Sequence, residues 1–400
     1  MKRLLIIILI FASAGIICGQ KPTEILMKGK ALMGQGRSDE AIKVLTEALD
    51  QAQESSFYVQ RAEAFMLKGD YSSAISDLNS ANRIDPSSGE YNLARIYGLK
   101  GDAATAVYHL ESSMKSAYKK SEKEVMLDPA FSTLENRPEW RQFWKNDWYN
   151  SLERGVSEIE YDVSTGNTAE AKNKLSDLSG SYPGNNEIIY ARAKVELAEN
   201  KNAEAVKELT VLTISEPGNE KYLRLMAKAQ EAAGNQSGAS DTYSRILDLG
   251  VPDPELLISR AECLRKTGET EKALADVNKY LGLFPNDIKA MSFAGRMEYA
   301  AGDNLKALEY FSANLKLHPN DPECYIDRAN SYLAAKSWDW AIKDYSMALD
   351  LRPDLPDVWL NKGIALANSG NTDDACFDFR KAFNLGNKKA TEYISRYCIR

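Results

Sequence analysis

Histidine is scarce in this 400-residue chain, where His109 and His318 are the two present. An imidazole-based metal site or a Ser-His-Asp relay would have to use one of them, and neither has a motif around it. No Cys-x-x-Cys pair, His-Glu-x-x-His, Gly-x-Ser-x-Gly elbow or glycine-rich phosphate loop occurs. Gly29, Gly34 and Gly36 look loop-like, but they fall at helix-packing and turn positions. The acidic pairs Asp39-Glu40 and Asp373-Asp374 read as helix openings, where carboxylates meet the positive end of the helix dipole. The sequence therefore predicts no catalytic residue, no metal and no cofactor. A net charge of −7 argues against a general nucleic-acid binder, which needs excess Lys and Arg to displace counterions. A hydrophobic content of 44% excludes a wholly disordered chain.

The first residues read as a targeting segment. Lys2 and Arg3 precede an apolar run, Leu4 to Ile17, of about the length of a signal-peptide core and short for a bilayer span. Gly19 offers a small residue for cleavage, so the signal peptide is placed at 1–19 and the mature chain at Gln20. Cys18 supports a rival reading, lipidation, although Ile17 stands where a lipobox wants Gly, Ala or Ser. An uncleaved anchor is a third reading. The expectation is export to the periplasm or cell envelope, with membrane association only through Cys18 or a retained leader.

What the rest of the chain must position is a repeat. Alanine recurs at Ala171, Ala205, Ala239, Ala273, Ala307, Ala341 and Ala375, always at an interval of 34 residues. Turns such as Ala233-Gly234-Asn235, Ala301-Gly302-Asp303 and Ser369-Gly370-Asn371 precede it, and Pro183, Pro217, Pro285, Pro319 and Pro353 follow. Small residues (Gly29, Ala62, Ala227, Ala261, Gly295, Ala329, Gly363) sit where two amphipathic helices must cross closely. Glycine ends the first helix in a left-handed conformation, and proline stops the second. The register extends back to Ala41, Ala74 and Ala106.

This arrangement resembles the tetratricopeptide-repeat (TPR) family. The resemblance implies an all-α, right-handed superhelical solenoid of about ten helix-turn-helix units. They are placed at 22–54, 55–86, 87–120, 152–185, 186–219, 220–253, 254–287, 288–321, 322–355 and 356–389. An N-terminal arm of three units (20–120) and a C-terminal arm of seven (152–389) flank an irregular aromatic-rich helical insertion at 121–151. A last helix, about 388–397, caps the end (390–400). The insertion carries Asp128-Pro129, Phe131, Leu134, Pro138, Trp140, Trp144 and Trp148, and similar insertions occur beside TPR units in exported proteins of the Bacteroidetes. Its aromatics read first as core, with an exposed partner patch of Trp140, Trp144 and Trp148 as the alternative.

Carried onto this chain residue by residue, the family's inward-facing positions are Tyr190, Lys194, Arg224, Lys228, Glu262, Arg265, Arg296 and Tyr299. They read as a basic stripe for a peptide bearing acidic or carboxylate groups, or as a solvated face. A two-carboxylate clamp is not predicted, since Asn330 and Asn361 fit two of its places but Ile326 stands where a lysine is needed. In an oxidising compartment Cys376 and Cys398 could pair; otherwise they are buried thiols, as Cys263 and Cys324 are expected to be. The function implied is a non-enzymatic scaffold of the cell envelope that holds a protein or peptide partner, such as an accessory of an assembly or secretion complex. The alternatives are an enzyme or regulatory subunit with its site in 121–151, or a ligand-binding solenoid.

Overall fold

The computed structural model describes residues 21–398. The leader at 1–19 and Cys18 lie outside the described residues.

Among the described residues the chain is helical throughout, with twenty-three α-helices, one 3-10 helix and no strand. Two compact units divide it between Ala191 and Arg192, with the loop Gly250–Pro252 grouped with the first. The first unit holds three antiparallel helix pairs: α1 (Pro22–Gly34) with α2 (Ser38–Leu49), α3 (Ser55–Leu67) with α4 (Tyr71–Ile84), and α5 (Glu90–Leu99) with α6 (Ala103–Met114). Three short segments follow, α7 (Glu122–Leu127), the 3-10 helix Pro129–Leu134 and α8 (Pro138–Phe143), then the pair α9 (Ser151–Ser164) and α10 (Thr168–Ser181). Helix α11 (Asn186–Ala198) carries the division.

The second unit continues with α12 (Asn202–Ser215), then the pairs α13 (Glu220–Ala232)/α14 (Gln236–Asp248) and α15 (Glu255–Lys266)/α16 (Thr270–Leu283). The pairs α17 (Ile288–Ala300)/α18 (Asn304–Leu317), α19 (Pro322–Ala334)/α20 (Trp338–Leu351) and α21 (Pro356–Asn368)/α22 (Thr372–Asn384) come next, before a final α23 (Ala390–Tyr397). These are the helical hairpins that the 34-residue period predicts.

Small-to-large packing draws each pair together. A Cβ added at Gly295 would lie 2.4 Å from the Phe311 ring, and one at Gly363 would lie 2.6 Å from the ring of Phe379. Both phenylalanines are almost wholly buried, so glycine on the first helix makes room for an aromatic on the second. The recurring alanines, from Ala41 to Ala375, are fully buried at the same crossings.

The turn inside each hairpin needs a left-handed residue. Gly166, Gly234, Gly268, Gly302 and Gly370 supply it with φ between 79° and 92°, and Asn200 and Lys336 take the same place with φ of 60° and 59°. Lys336 N donates to Leu333 O, and Ser337 N reaches back to Tyr332 O at 2.8 Å, so the backbone bonds are made in spite of the lysine Cβ. Lys336 is exposed. Lys336→Gly is therefore expected to stabilise the second unit by about 0.5–1 kcal/mol, read as a higher urea midpoint. A lower midpoint would contradict the strain argument.

Residues 122–149 do not form a regular helix pair between α6 and α9. Val125, Phe131, Leu134, Trp140, Phe143 and Tyr149 join Leu110 and Met114 of α6 in one buried cluster. Trp140 is 7% exposed, and its ring lies 5.2 Å from Phe131, 5.7 Å from Phe143 and 5.8 Å from Trp144. Trp148 lies 4.9 Å from Phe143 and donates its indole N–H to Phe143 O at 2.7 Å. The alternative of an exposed patch of Trp140, Trp144 and Trp148 is thus corrected: Trp140 is core, and the other two are half-buried against it. Stacked rings exclude water from the end of the third helix pair, which is why they face inward. Close backbone approach locks the join, since a Cβ at Gly98 would stand 2.5 Å from Ala130 O.

Candidate functional site

The eight residues expected to line a binding face divide between the two units, Tyr190 in the first and the other seven in the second. Tyr190 is only 6% exposed, and burial pushes its hydroxyl pKa up. Lys194 is half-buried on α11.

On α13, Arg224 is held between Glu220 at 2.7 Å and Asp253 at 2.8 Å, and Lys228 is exposed. On α15, Arg265 bonds Glu262 on its own helix at 2.8 Å, which holds that carboxyl below its usual range. On α17, Arg296 reaches Asp327 at 2.8 Å, and Tyr299 is 38% exposed. Asp327 is almost fully buried; desolvation pushes its pKa up, and Arg296 pulls it back. The stripe is therefore internally neutralised at its arginines. Arg296 balances a buried carboxylate, so reversing its charge would also strain the fold.

The structure shows a second feature that reading the sequence missed. Where the first helix of a unit meets the second, a cation bonds a carboxylate sixteen residues later: Arg61 to Asp77, Arg192 to Glu208, Arg260 to Asp276 and Arg328 to Asp344. Lys362 and Asp378 repeat the spacing at 3.3 Å. In α9 and α10 the signs are reversed, with Lys174 on Glu158 at 3.2 Å and on Asp162 at 2.9 Å. In the second unit the remaining equivalent positions are Met226 with Thr242 and Ala294 with Tyr310, so both charges are lost together there, whereas the first hairpin keeps Lys28 opposite Val44. That matched gain and loss was the available signal.

Asp378 has the least favourable setting of these carboxylates. Burial pushes its pKa up to about 6, and Lys362 offsets this only in part. The sign follows from proton counts: between about pH 4 and 6 the folded chain holds a proton on Asp378 that the unfolded chain has released. The contribution is complete below about pH 4 and is lost as pH rises through 6. The stability difference between wild type and Asp378→Asn should thus shift in favour of wild type by about 2 kcal/mol from pH 7 to pH 4.5 in paired urea titrations. A difference that stays flat with pH would refute this.

In the first unit the first helices α1, α3 and α5 line a cleft of about 660 Å3. Its walls carry Lys30, Gln60, Glu63, Tyr91, Asn92 and Arg95, with Lys120 at the edge. Arg95 Nε is 2.9 Å from Asp128, which also accepts from the Tyr91 hydroxyl at 2.9 Å. The Lys120 ammonium lies 5.5 Å over the Tyr91 ring. Glu63 accepts from Asn92 at 3.4 Å; burial raises its pKa, opposed by Asn92, Arg95, Lys30 and Lys120. Gln60 donates to Leu26 O at 2.9 Å, and its own Oε1 is buried without a partner. The cleft thus offers donors, acceptors and both signs of charge on a rigid helical floor. Among the described residues, no group of three His, Cys, Asp or Glu side chains is placed to hold a metal, and no helix is long and apolar enough to cross a membrane.

Stacked helical hairpins with a 34-residue period define a helical-repeat protein. The tetratricopeptide repeat family model matches residues 26–89, 224–288 and 326–382, so the chain carries tetratricopeptide repeats in both units. A comparison with curated proteins finds no match. Among solved structures, a tetratricopeptide repeat protein from Parabacteroides merdae is similar at 19% identity and a TM-score of 0.45, covering 62% of this chain and 98% of its own. MamA from Desulfovibrio magneticus is similar at 21% identity and a TM-score of 0.39, covering 41% of this chain and 93% of its own. YrrB, described as a TPR protein with an unusual peptide-binding site, is similar at 15% identity and a TM-score of 0.39, covering 47% and 97%.

Proposed function

We propose that this chain is a non-enzymatic scaffold, exported to the cell envelope, that holds a protein or peptide partner against its first-helix faces. The observation that carries the reading is the cleft of about 660 Å3 on α1, α3 and α5, which is lined by groups able to bond a peptide backbone and polar side chains. Export rests on Lys2-Arg3 and the apolar run to Ile17. Lipidation at Cys18 is the rival arrangement, and the mass of the mature N-terminus separates the two.

In the C-terminal arm, Lys228 and Tyr299 are exposed members of the predicted face that lie outside its arginine ion pairs. Crosslinking in cells, followed by recovery of the tagged chain, tests the reading with two variants. Lys30→Glu combined with Asn92→Ala should abolish capture if the first-unit cleft is used. Lys228→Glu combined with Tyr299→Ala should abolish it if the second-unit face is used. Capture undiminished by either, in folded protein, would remove both faces from consideration.

A further inference from the structure

The second unit ends on a helix too short to hold itself. Helix α23 has eight residues, below the roughly 12–15 at which an isolated helix becomes marginal in water. Ala390 is its one fully buried residue; Tyr393, Ile394 and Tyr397 are half-buried. Lys389 at its N-cap makes no side-chain cap. The preceding turn is tied by Asn387, which accepts from Lys389 N at 2.9 Å and donates to Asp357 at 2.7 Å.

Beneath α23 lies the face that elsewhere receives the next repeat. Phe379 is fully buried, with its ring 5.2 Å from Tyr393 and 6.1 Å from Tyr397. It stands 34 residues after Tyr345, the buried aromatic that packs in one cluster with Val358 and Trp359 of α21. Helix α23 therefore occupies the place of a following first helix, with a smaller apolar footprint. A disulfide between Cys376 of α22 and Cys398, just past α23, holds it there, the Cα atoms being 5.5 Å apart. Cys376 is 9% exposed, and Cys398 is more open.

We propose that α23 is a redox-retained cap: the Cys376–Cys398 bond keeps it docked, and reduction by a dithiol releases it and uncovers the stacking face around Phe379. One thiolate of the dithiol attacks the more open Cys398 sulfur, forming a mixed disulfide and expelling Cys376 as a thiolate. The second thiol of the reductant attacks the mixed disulfide and frees Cys398. The dithiol leaves as a cyclic disulfide, and both cysteines end as protonated thiols. Cys263 and Cys324 are buried elsewhere and take no part.

Hydrogen–deuterium exchange on the full chain, before and after dithiothreitol, tests this. Amides of 390–398 are expected to exchange on the order of a hundredfold faster once reduced, by the chain entropy a loop of this size returns. Amides of α19 and α20 should change by less than about twofold, since cap release is a local opening. The Cys398→Ser chain should show the same opening without reductant. Protection of 390–398 that survives reduction would overturn the proposal, as would loss of protection spreading through α19 and α20.

Discussion

Arg328→Met is expected to destabilise the second unit by about 3–5 kcal/mol, because it strands a buried carboxylate. The guanidinium of Arg328 grips Asp344 through two bonds of 2.6 and 2.8 Å. The Asp344 side chain is 2% exposed and that of Arg328 is 21% exposed, so neither group regains full hydration when its partner is lost. The paired variant Arg328→Met with Asp344→Leu should recover most of the loss, since removing both charges also removes the desolvation cost. By contrast, Arg37 and Glu40 are a surface pair at 46% and 56% exposure, and Arg37→Met should leave the unfolding midpoint where it was. Urea denaturation followed by circular dichroism reads all three. An Arg328→Met loss below about 1 kcal/mol would show that these ion pairs at sixteen-residue spacing are decorative. Because repeat arrays can unfold in segments, local amide exchange in α19 and α20 should accompany the bulk measurement.

Trp140→Ala should cost the first unit about 3–5 kcal/mol, the range for emptying a large aromatic site in a packed core. The indole is surrounded by Phe131, Phe143 and Trp144, and the cluster continues into Leu110 and Met114 of α6. Removing it should loosen the insertion from the third helix pair and expose Trp148, shifting tryptophan emission to longer wavelength. The result also separates core from contact surface. A Trp140→Ala chain that kept its stability but lost a partner would restore the aromatic patch that burial argues against. Trp148→Ala, at a half-buried rim position, should cost less.

Much of the fold was legible because a repeat states the same packing solution many times. One glycine or alanine at a helix crossing is weak evidence, but alanine at seven positions spaced 34 residues apart leaves one register. The turn positions were legible for the same reason, although Asn200 and Lys336 hid two of them behind side chains that the left-handed backbone tolerates poorly. The insertion was less legible. Its aromatics follow no period, and a tryptophan-rich stretch without one has the composition of either a core or a docking surface.

The candidate face was the least legible part. Arg224 and Arg296 looked free in the sequence because their carboxylates are distant in it: Asp253 lies in the link between α14 and α15, and Asp327 on α19, 31 residues beyond Arg296. The cleft of the first unit has no motif, since α1 contributes Lys30, α3 contributes Gln60 and Glu63 beside two serines, and α5 contributes Tyr91, Asn92 and Arg95, all ordinary surface types.

The sequence by itself determined the unit, its period and its all-helical class, because those depend on the spacing of small and large apolar residues along a single helical hairpin. Only the tertiary structure decided which charges are available, where the tryptophans face and what the terminal helix covers. Those outcomes depend on which surfaces meet when hairpins stack: a charge is free or neutralised, and a ring is wet or dry, according to neighbours that are close in space and remote along the chain.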